Sequence, residues 1–179
     1  MKARRLTFAA CAALALAFAP GAAPSQDMPD PNVDALFPVL AAQGGNGEIA
    51  LGRLALARGN ALEVRGFAQK MIDEHTEMAA DLARVAPGPP PREPLNAPDR
   101  LALERLRSLP AADFDRQYVV QQIGDHLATI GIFETEARLG RDAALRAFAE
   151  RSLPTLRAHL QLAVVETKRI GGDTPFYQH

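Results

Sequence analysis

Cysteine and tryptophan are nearly missing from this 179-residue chain, and long apolar runs are missing after residue 25. The one cysteine is Cys11, and there is no tryptophan. Cys11 lies in an N-terminal segment that we expect to be removed, so the remaining chain has no thiol for a disulfide, a thiolate metal site or a nucleophile. No segment after residue 25 is long and apolar enough to span a bilayer as a helix.

The chain also has no excess of basic residues. The whole chain has a net charge of −1, and residues 1–25 carry three of its 20 basic residues and none of its 21 acidic ones. This leaves 17 basic against 21 acidic residues, and a net charge of −4. A mildly acidic chain without a basic patch argues against nucleic-acid binding and against electrostatic docking on a membrane.

The first 25 residues have the layout of a secretory signal peptide. A basic start, Met1 to Arg5, precedes an apolar stretch from Leu6 to Ala19, and small residues and prolines follow. The apolar stretch is short for a membrane span, which favours a cleaved signal over an uncleaved anchor. We expect cleavage between Ala22 and Gln26, a flexible leader at residues 26–32, and an exported, periplasmic protein that could associate with the outer membrane.

Four long segments have apolar residues at helical spacing, and no segment alternates as a strand does. The predicted helices begin after Asn32 or Asp34, at Ala61, at Asp113 and at Asp142, and end near Gly59, Ala86, Leu139 and Ile170. Asp113 and Asp142 are predicted N-caps. The glycine-rich residues 43–47 should kink or split the first helix, and Pro154 should kink the last.

The middle of the chain connects two helical hairpins. Residues 87–98 contain six prolines and cannot be helical throughout, and a short helix is expected from Asp99 to Ser108. Gly59 and Gly140 are each followed, eight residues later, by a Phe-Ala pair. This faint repeat predicts an all-α four-helix bundle over residues 33–170, with a long Pro-rich crossover that contains the short helix. Residues 171–179 are expected to form a C-terminal tail.

Several motifs together resemble the DUF 4142 family of exported bacterial proteins. They are Glu48 to Gly52, Phe67 to His75, Phe114 to Tyr118, Gln122, His126, Leu153-Pro154 and His159. One departure is Glu74, where the family usually has Asp. The resemblance implies a ferritin-like bundle and an envelope location, since these proteins are often labelled as outer-membrane proteins, but it implies no established reaction.

One residue of a metal-ligand type lies on the apolar stripe of each long helix. Glu48 and His75 lie 11 and 16 residues from Gly59, and His126 and His159 lie 14 and 19 residues from Gly140. If the two turns are at opposite ends, all four residues meet near the midplane, where bundles of this kind build metal sites. Glu74 and Gln122 are expected to contact these four residues without being ligands themselves.

Three interpretations of this set remain open. The residues could bind one Zn, Cu, Mn or Fe ion, they could form a hydrogen-bonded polar layer that fixes helix register, or Glu48 could face solvent. A ferritin-like di-iron site is not expected, because Ile72 and Leu156 stand where its Glu-x-x-His motifs need glutamate. Asp125, Glu134 and Glu136 are interpreted as solvated.

No catalytic residue is predicted. The sequence is most consistent with an exported helical-bundle protein of unknown activity, in which Glu48, His75, His126 and His159 could bind one metal ion. A structural or interaction module of the cell envelope, which would have a protein partner, and a small metal-dependent redox enzyme are the alternatives.

Sequencing the N-terminus of protein recovered from the periplasm checks the predicted signal. We expect the first residue to lie between Ala23 and Asp27, because cleavage needs the small residues in this segment. Soluble periplasmic protein that still begins with Met1 would contradict the prediction.

Overall fold

The structure is a computed structural model that describes residues 32–171 of the chain. These residues form five α-helices and no strand. The helices are α1 (Val33–Arg58), α2 (Leu62–Val85), α3 (Ala97–Ser108), α4 (Ala111–Leu139) and α5 (Ala143–Arg169). The all-helical prediction is confirmed. The predicted signal, the leader before residue 32 and residues 172–179 of the predicted tail lie outside the described residues.

The first helix is continuous through its glycine-rich centre, so of the predicted kink or split at residues 43–47 the split is wrong. Each glycine in a helix costs on the order of 1 kcal/mol, but tertiary contacts can offset this. Two side chains in this stretch hold the proline-rich segment: Gln43 donates to the Glu93 carbonyl at 2.9 Å, and Asn46 donates to the Pro94 carbonyl at 3.1 Å. These two hydrogen bonds pack the glycine-rich part of α1 against residues 93–94.

At three of the four long helices, the observed first residue lies within one residue of the predicted start. The Asn32 side chain caps α1 by accepting from Ala35 N, and Asp142 caps α5 by accepting from Ala144 N and Leu145 N. The N-cap of α4 is Pro110 and not Asp113, which lies inside the first turn. A proline fits a helix start because the first N–H groups of a helix have no partner within it.

The four long helices pack pairwise. Helix α1 packs on α2 and α4, α5 packs on α4 and α2, and α3 packs on α1 and α4. Short turns at residues 59–61 and 140–142 join α1 to α2 and α4 to α5. Within residues 32–171, every helix is too short or too polar to cross a membrane.

Each turn is fastened by an aspartate from the other pair of helices. Asp34 of α1 accepts from the backbone N–H groups of Arg141 and Asp142, at 2.8 and 3.1 Å. Asp115 of α4 accepts from Asn60 N at 3.0 Å and from Ala61 N at 2.8 Å. The two turns therefore lie beside the starts of α1 and α4.

The core consists of two apolar clusters. One contains Phe37, Leu82, Phe133, Phe148 and Leu156 and lies toward the 140–142 turn. The other includes Leu51, Phe67, Met71, Tyr118 and Ile123 and lies toward the 59–61 turn. On α1, α2, α4 and α5, the buried polar residues Glu48, His75, His126 and His159 come between the two clusters along the chain.

Glu136 is fully buried, so its interpretation as a solvated residue is wrong. Its carboxyl group packs against the backbone of Gly140, and a side chain at residue 140 would overlap it. The same carboxyl group lies beside Asp34. Burial, the charge and hydrogen bond of Asp34, and the charge of Asp142 together raise the pKa of Glu136 to about 7, although Arg146 opposes the shift.

Replacing Glu136 by glutamine should remove part of the pH dependence of stability. The pKa of Glu136 is higher in the folded protein than in the unfolded chain, so the folded state binds more protons. The stability that this proton contributes is lost as the pH rises from about 4.5 through 7. From pH 5 to 8, wild type should lose about 2 kcal/mol more of its free energy of unfolding than Glu136→Gln. Urea titrations measure this. Exposed Glu134→Gln should follow wild type, and parallel wild-type and Glu136→Gln curves would contradict the prediction.

Candidate metal centre

Three histidines from three helices meet in the core. His75 of α2, His126 of α4 and His159 of α5 are each at most 2 % exposed. Their ring centroids lie 5.2 to 5.5 Å apart. One nitrogen of each ring can be chosen so that all three lie within 4.8 Å of one another.

The ring of His126 is oriented by its own helix. Its Nδ1 lies 2.9 Å from the backbone carbonyl oxygen of Gln122, one turn earlier. A carbonyl oxygen only accepts hydrogen bonds, so Nδ1 carries a proton. In the neutral ring, the lone pair is then on Nε2.

The ring of His159 is oriented by a carboxylate from the neighbouring helix. Its Nε2 lies 2.6 Å from Oε2 of Glu74, and Lys70 forms an ion pair with Oε1 of the same carboxylate. Partial burial would raise the pKa of Glu74, but the hydrogen bonds from Lys70 and His159 outweigh it and hold this pKa below its usual value. Glu74 is therefore ionised at neutral pH, Nε2 donates to it, and the lone pair of the neutral ring is on Nδ1.

The two lone-pair nitrogens face each other. His126 Nε2 and His159 Nδ1 are 3.3 Å apart. With both rings neutral, neither nitrogen carries a proton to donate, so the contact is repulsive unless a cation joins it. Two imidazole nitrogens bound at 2.0–2.1 Å to one tetrahedral metal ion would lie about 3.3 Å apart.

His75 completes the group. Its Nε2 is buried and has no hydrogen-bond partner among the described residues. One ring nitrogen of His75 lies within 4.8 Å of a ring nitrogen of each of the other two histidines. The three rings can thus supply three nitrogen ligands from three different helices.

All three imidazoles are kept neutral at physiological pH. Burial lowers the pKa of His126 to about 4, with a smaller contribution from His159, against the effect of the Gln122 carbonyl. Burial, and then the charges of His126 and His159, lower the pKa of His75 well below 6.5. Burial also lowers the pKa of His159, although Glu74 opposes this shift. Neutral imidazole is the form that binds metals.

The fourth predicted ligand, Glu48, lies on the other side of His126. It is buried, and its Oε1 is 3.6 Å from Nδ1 of His126, the nitrogen that faces the Gln122 carbonyl. Glu48 therefore contacts the ring opposite the facing nitrogens. Of the two predicted supporting residues, Glu74 holds His159, and Gln122 holds His126 through its backbone.

A sequence model of a family described as Domain of unknown function (DUF4142) matches residues 18–164. The chain belongs to this family. No curated protein and no solved structure matches it. The description of the DUF4142 family names no activity, so a function has to be argued from the site itself.

Sequence reasoning missed the acidic surroundings of this DUF4142 site. Asp125, which was interpreted as solvated, is half-buried, and burial raises its pKa. Asp99 of α3 is buried as well. Asp125 follows Tyr118 by seven residues and lies on the same stripe, which is a signal in the sequence; nothing comparable marks Asp99.

Acid should destabilise the metal-free protein through His126. Its pKa is lower in the folded protein than in the unfolded chain, so the stability present above pH 6.5 is lost as the pH falls toward 4. Between pH 7 and 4, chelator-treated wild type should lose about 2–3 kcal/mol more than His126→Gln, measured by urea unfolding. His179→Gln should behave like wild type. Equal acid losses in wild type and His126→Gln would show that His126 is not held neutral.

Proposed function

We propose that this DUF4142 protein is an exported, ferritin-like four-helix bundle that binds one transition-metal ion through His75, His126 and His159. The observation that carries the proposal is the 3.3 Å contact between His126 Nε2 and His159 Nδ1. Both rings already donate through their other nitrogen. A metal ion turns this repulsive contact into two coordinate bonds.

The surroundings of the two rings resemble the outer contacts of known metal ligands. Metal-bound histidines usually donate their second N–H to a carboxylate or a backbone carbonyl, which fixes the tautomer and makes the ring a better ligand. His159 donates to the Glu74 carboxylate, and His126 donates to a carbonyl. Such contacts prepare the rings for a metal before it arrives.

The donor set and the space limit what can bind. Three neutral imidazoles suit a single Zn, Cu, Mn or Fe ion. A cavity of about 10 Å³ adjoins His75, and its other lining residues are apolar or glycine. This is room for about one water molecule, which excludes an organic cofactor there. The carboxylate-rich ligand set of a di-iron centre is missing from the three-histidine group.

The burial of the three rings favours a metal that stabilises the fold over one that turns over a substrate. A catalytic metal needs an open position and a path for its substrate. All three histidines are at most 2 % exposed. This burial supports the proposal of a structural or interaction module of the cell envelope over that of a small metal-dependent redox enzyme.

A shared proton is the competing way to satisfy the facing nitrogens. His159 is the ring that would take it, since Glu74 favours its charged form. The result would be a polar layer that fixes helix register without a metal. The two hypotheses differ in whether stability responds to metal ions and chelators.

Melting curves with and without Zn²⁺ test the proposal. Zn²⁺ at about 100 times its dissociation constant should stabilise chelator-treated wild type by about 2.7 kcal/mol, because it binds only the folded state. His75→Ala, His126→Ala and His159→Ala should each abolish this gain and the bound metal seen by elemental analysis. Their effects should not add, because one lost ligand already disrupts the site. His179→Ala should keep the full response.

Glu74→Gln provides a milder test that leaves all three ligands in place. It should weaken Zn²⁺ binding about 10–100-fold, as expected when an outer carboxylate is lost. A wild-type melting curve that is indifferent to chelator and to added Zn, Cu, Mn and Fe ions would reject the metal in favour of the shared proton.

A further inference from the structure

A groove lies along the first part of α1, beside the end of α2. Its three walls are α1 from Asp34 to Asn46, the end of α2 from Ala79 to its C-cap Ala86, and the proline-rich segment 87–94. Its volume is about 770 Å³, within the roughly 300–1,000 Å³ of small-molecule pockets. A helix rises about 18 Å from Asp34 to Asn46, so the groove is long enough for an extended ligand. The three histidines of the candidate metal centre do not line it.

Almost all of the groove is apolar. Apart from Asp34, Asn46 and Arg92, the residues that line it are aliphatic, proline or glycine. No aromatic ring is among them, so a flat aromatic ligand would find no stacking partner there. Walls of this kind bind a ligand mainly by burying its apolar surface, which favours an aliphatic chain.

Two of the three polar side chains in the groove already have partners. The Asp34 carboxylate accepts from the backbone N–H groups of Arg141 and Asp142, at 2.8 and 3.1 Å. The Asn46 amide donates to the Pro94 carbonyl at 3.1 Å. The prolines of the third wall have no backbone N–H to donate. A ligand therefore finds few hydrogen-bond donors along these walls.

Arg92 is the polar group that remains available. Its side chain is exposed, it lines the groove, and it has no hydrogen-bond or ion-pair partner among residues 32–171. The neighbouring Glu93 carboxylate is paired with Arg100, at 3.8 Å. Within the described part of the chain, the groove thus offers one unpaired cation, and its guanidinium N–H groups match the two oxygens of a carboxylate.

The unpaired cation and the Asp34 carboxylate lie at different ends of the groove. The carbonyls of residues 93–94 accept from Gln43 and Asn46, which places Arg92 toward the Asn46 end. Asp34 lies about three turns earlier on α1. Opposite charges at opposite ends orient an anionic ligand, with its charged group toward Arg92 and its apolar part toward Asp34.

We propose that this groove binds the anion of a long-chain aliphatic carboxylic acid. The chain lies between α1, α2 and the proline-rich wall, and the carboxylate pairs with Arg92. A peptide or a second copy of the protein suits the groove less well, because its backbone carbonyls would need N–H donors that a proline wall does not have. Each further CH₂ group of the ligand that is buried should tighten binding up to about fourfold.

Isothermal titration calorimetry of the full chain with decanoate and dodecanoate, below their micelle-forming concentrations, tests this site. Both should bind saturably, and dodecanoate should bind about 4–15-fold more tightly because it buries two more CH₂ groups. Arg92→Gln should weaken decanoate binding about 3–5-fold, as expected for an exposed ion pair, and should leave the binding of uncharged decanol unchanged. Arg53→Gln removes an exposed arginine of α1 outside the groove and should bind both ligands like wild type.

Filling the groove provides a second test. Ala83→Phe puts a large ring on a lining residue of α2 and should weaken the binding of decanoate and decanol together. The loss should be about tenfold or more, because the ring displaces at least two CH₂ groups of the ligand from the groove. Ala80→Phe puts the same ring on an exposed residue of α2 outside the groove and should bind both ligands like wild type.

The outcomes separate this proposal from its rivals and from the metal centre. No saturable binding by wild type, or an Ala83→Phe variant that binds like wild type, would overturn the site. An Arg92→Gln variant that binds decanoate like wild type would overturn the carboxylate as the ligand class. A wild-type dimer that Ala83→Phe dissociates would assign the groove to a second copy instead. His159→Ala should keep its affinity for decanoate, so failure of the metal proposal would leave this one intact.

Discussion

Two imidazole rings that meet through their lone pairs are the central constraint of this structure. The Gln122 carbonyl and the Glu74 carboxylate fix the protons of His126 and His159 on the outer nitrogens, so the inner nitrogens face each other at 3.3 Å. Burial holds both pKa values down, which makes protonation of the rings costly. The contact between the two inner nitrogens is therefore the interaction that the proposed metal ion, or a shared proton, would satisfy.

The helical frame that holds these rings has two similar halves, α1–α2 and α4–α5. Asp34 fastens the α4–α5 turn, and Asp115 fastens the α1–α2 turn. Within each half, the polar residue of the second helix lies five residues farther from the turn glycine than that of the first helix. The two halves thus share the same offset between their polar residues, although their chemistry differs: glutamate and histidine in one half, two histidines in the other.

The sequence predicted helix positions and the meeting of the three histidines because both depend on spacing along a helix and on depth from a turn. It could not predict which way a side chain at that depth would face. Glu48 was expected beside the three histidines and instead contacts the outer nitrogen of His126. Glu136 and the continuous α1 were missed because each depends on contacts made by distant segments, with Asp34 and with residues 93–94. Such contacts leave no periodic signal in the sequence.

The balance of donors and acceptors separates this layer from a polar core that only fixes helix register. In such a core, donors and acceptors pair within the protein. Here the two inner nitrogens of His126 and His159 are both acceptors, and they face each other at 3.3 Å. The Glu48 carboxyl group, whose pKa is raised by burial, contacts the outer nitrogen of His126 and leaves this pair as it is. Two facing acceptors of this kind are stabilised by a cation that both nitrogens bind.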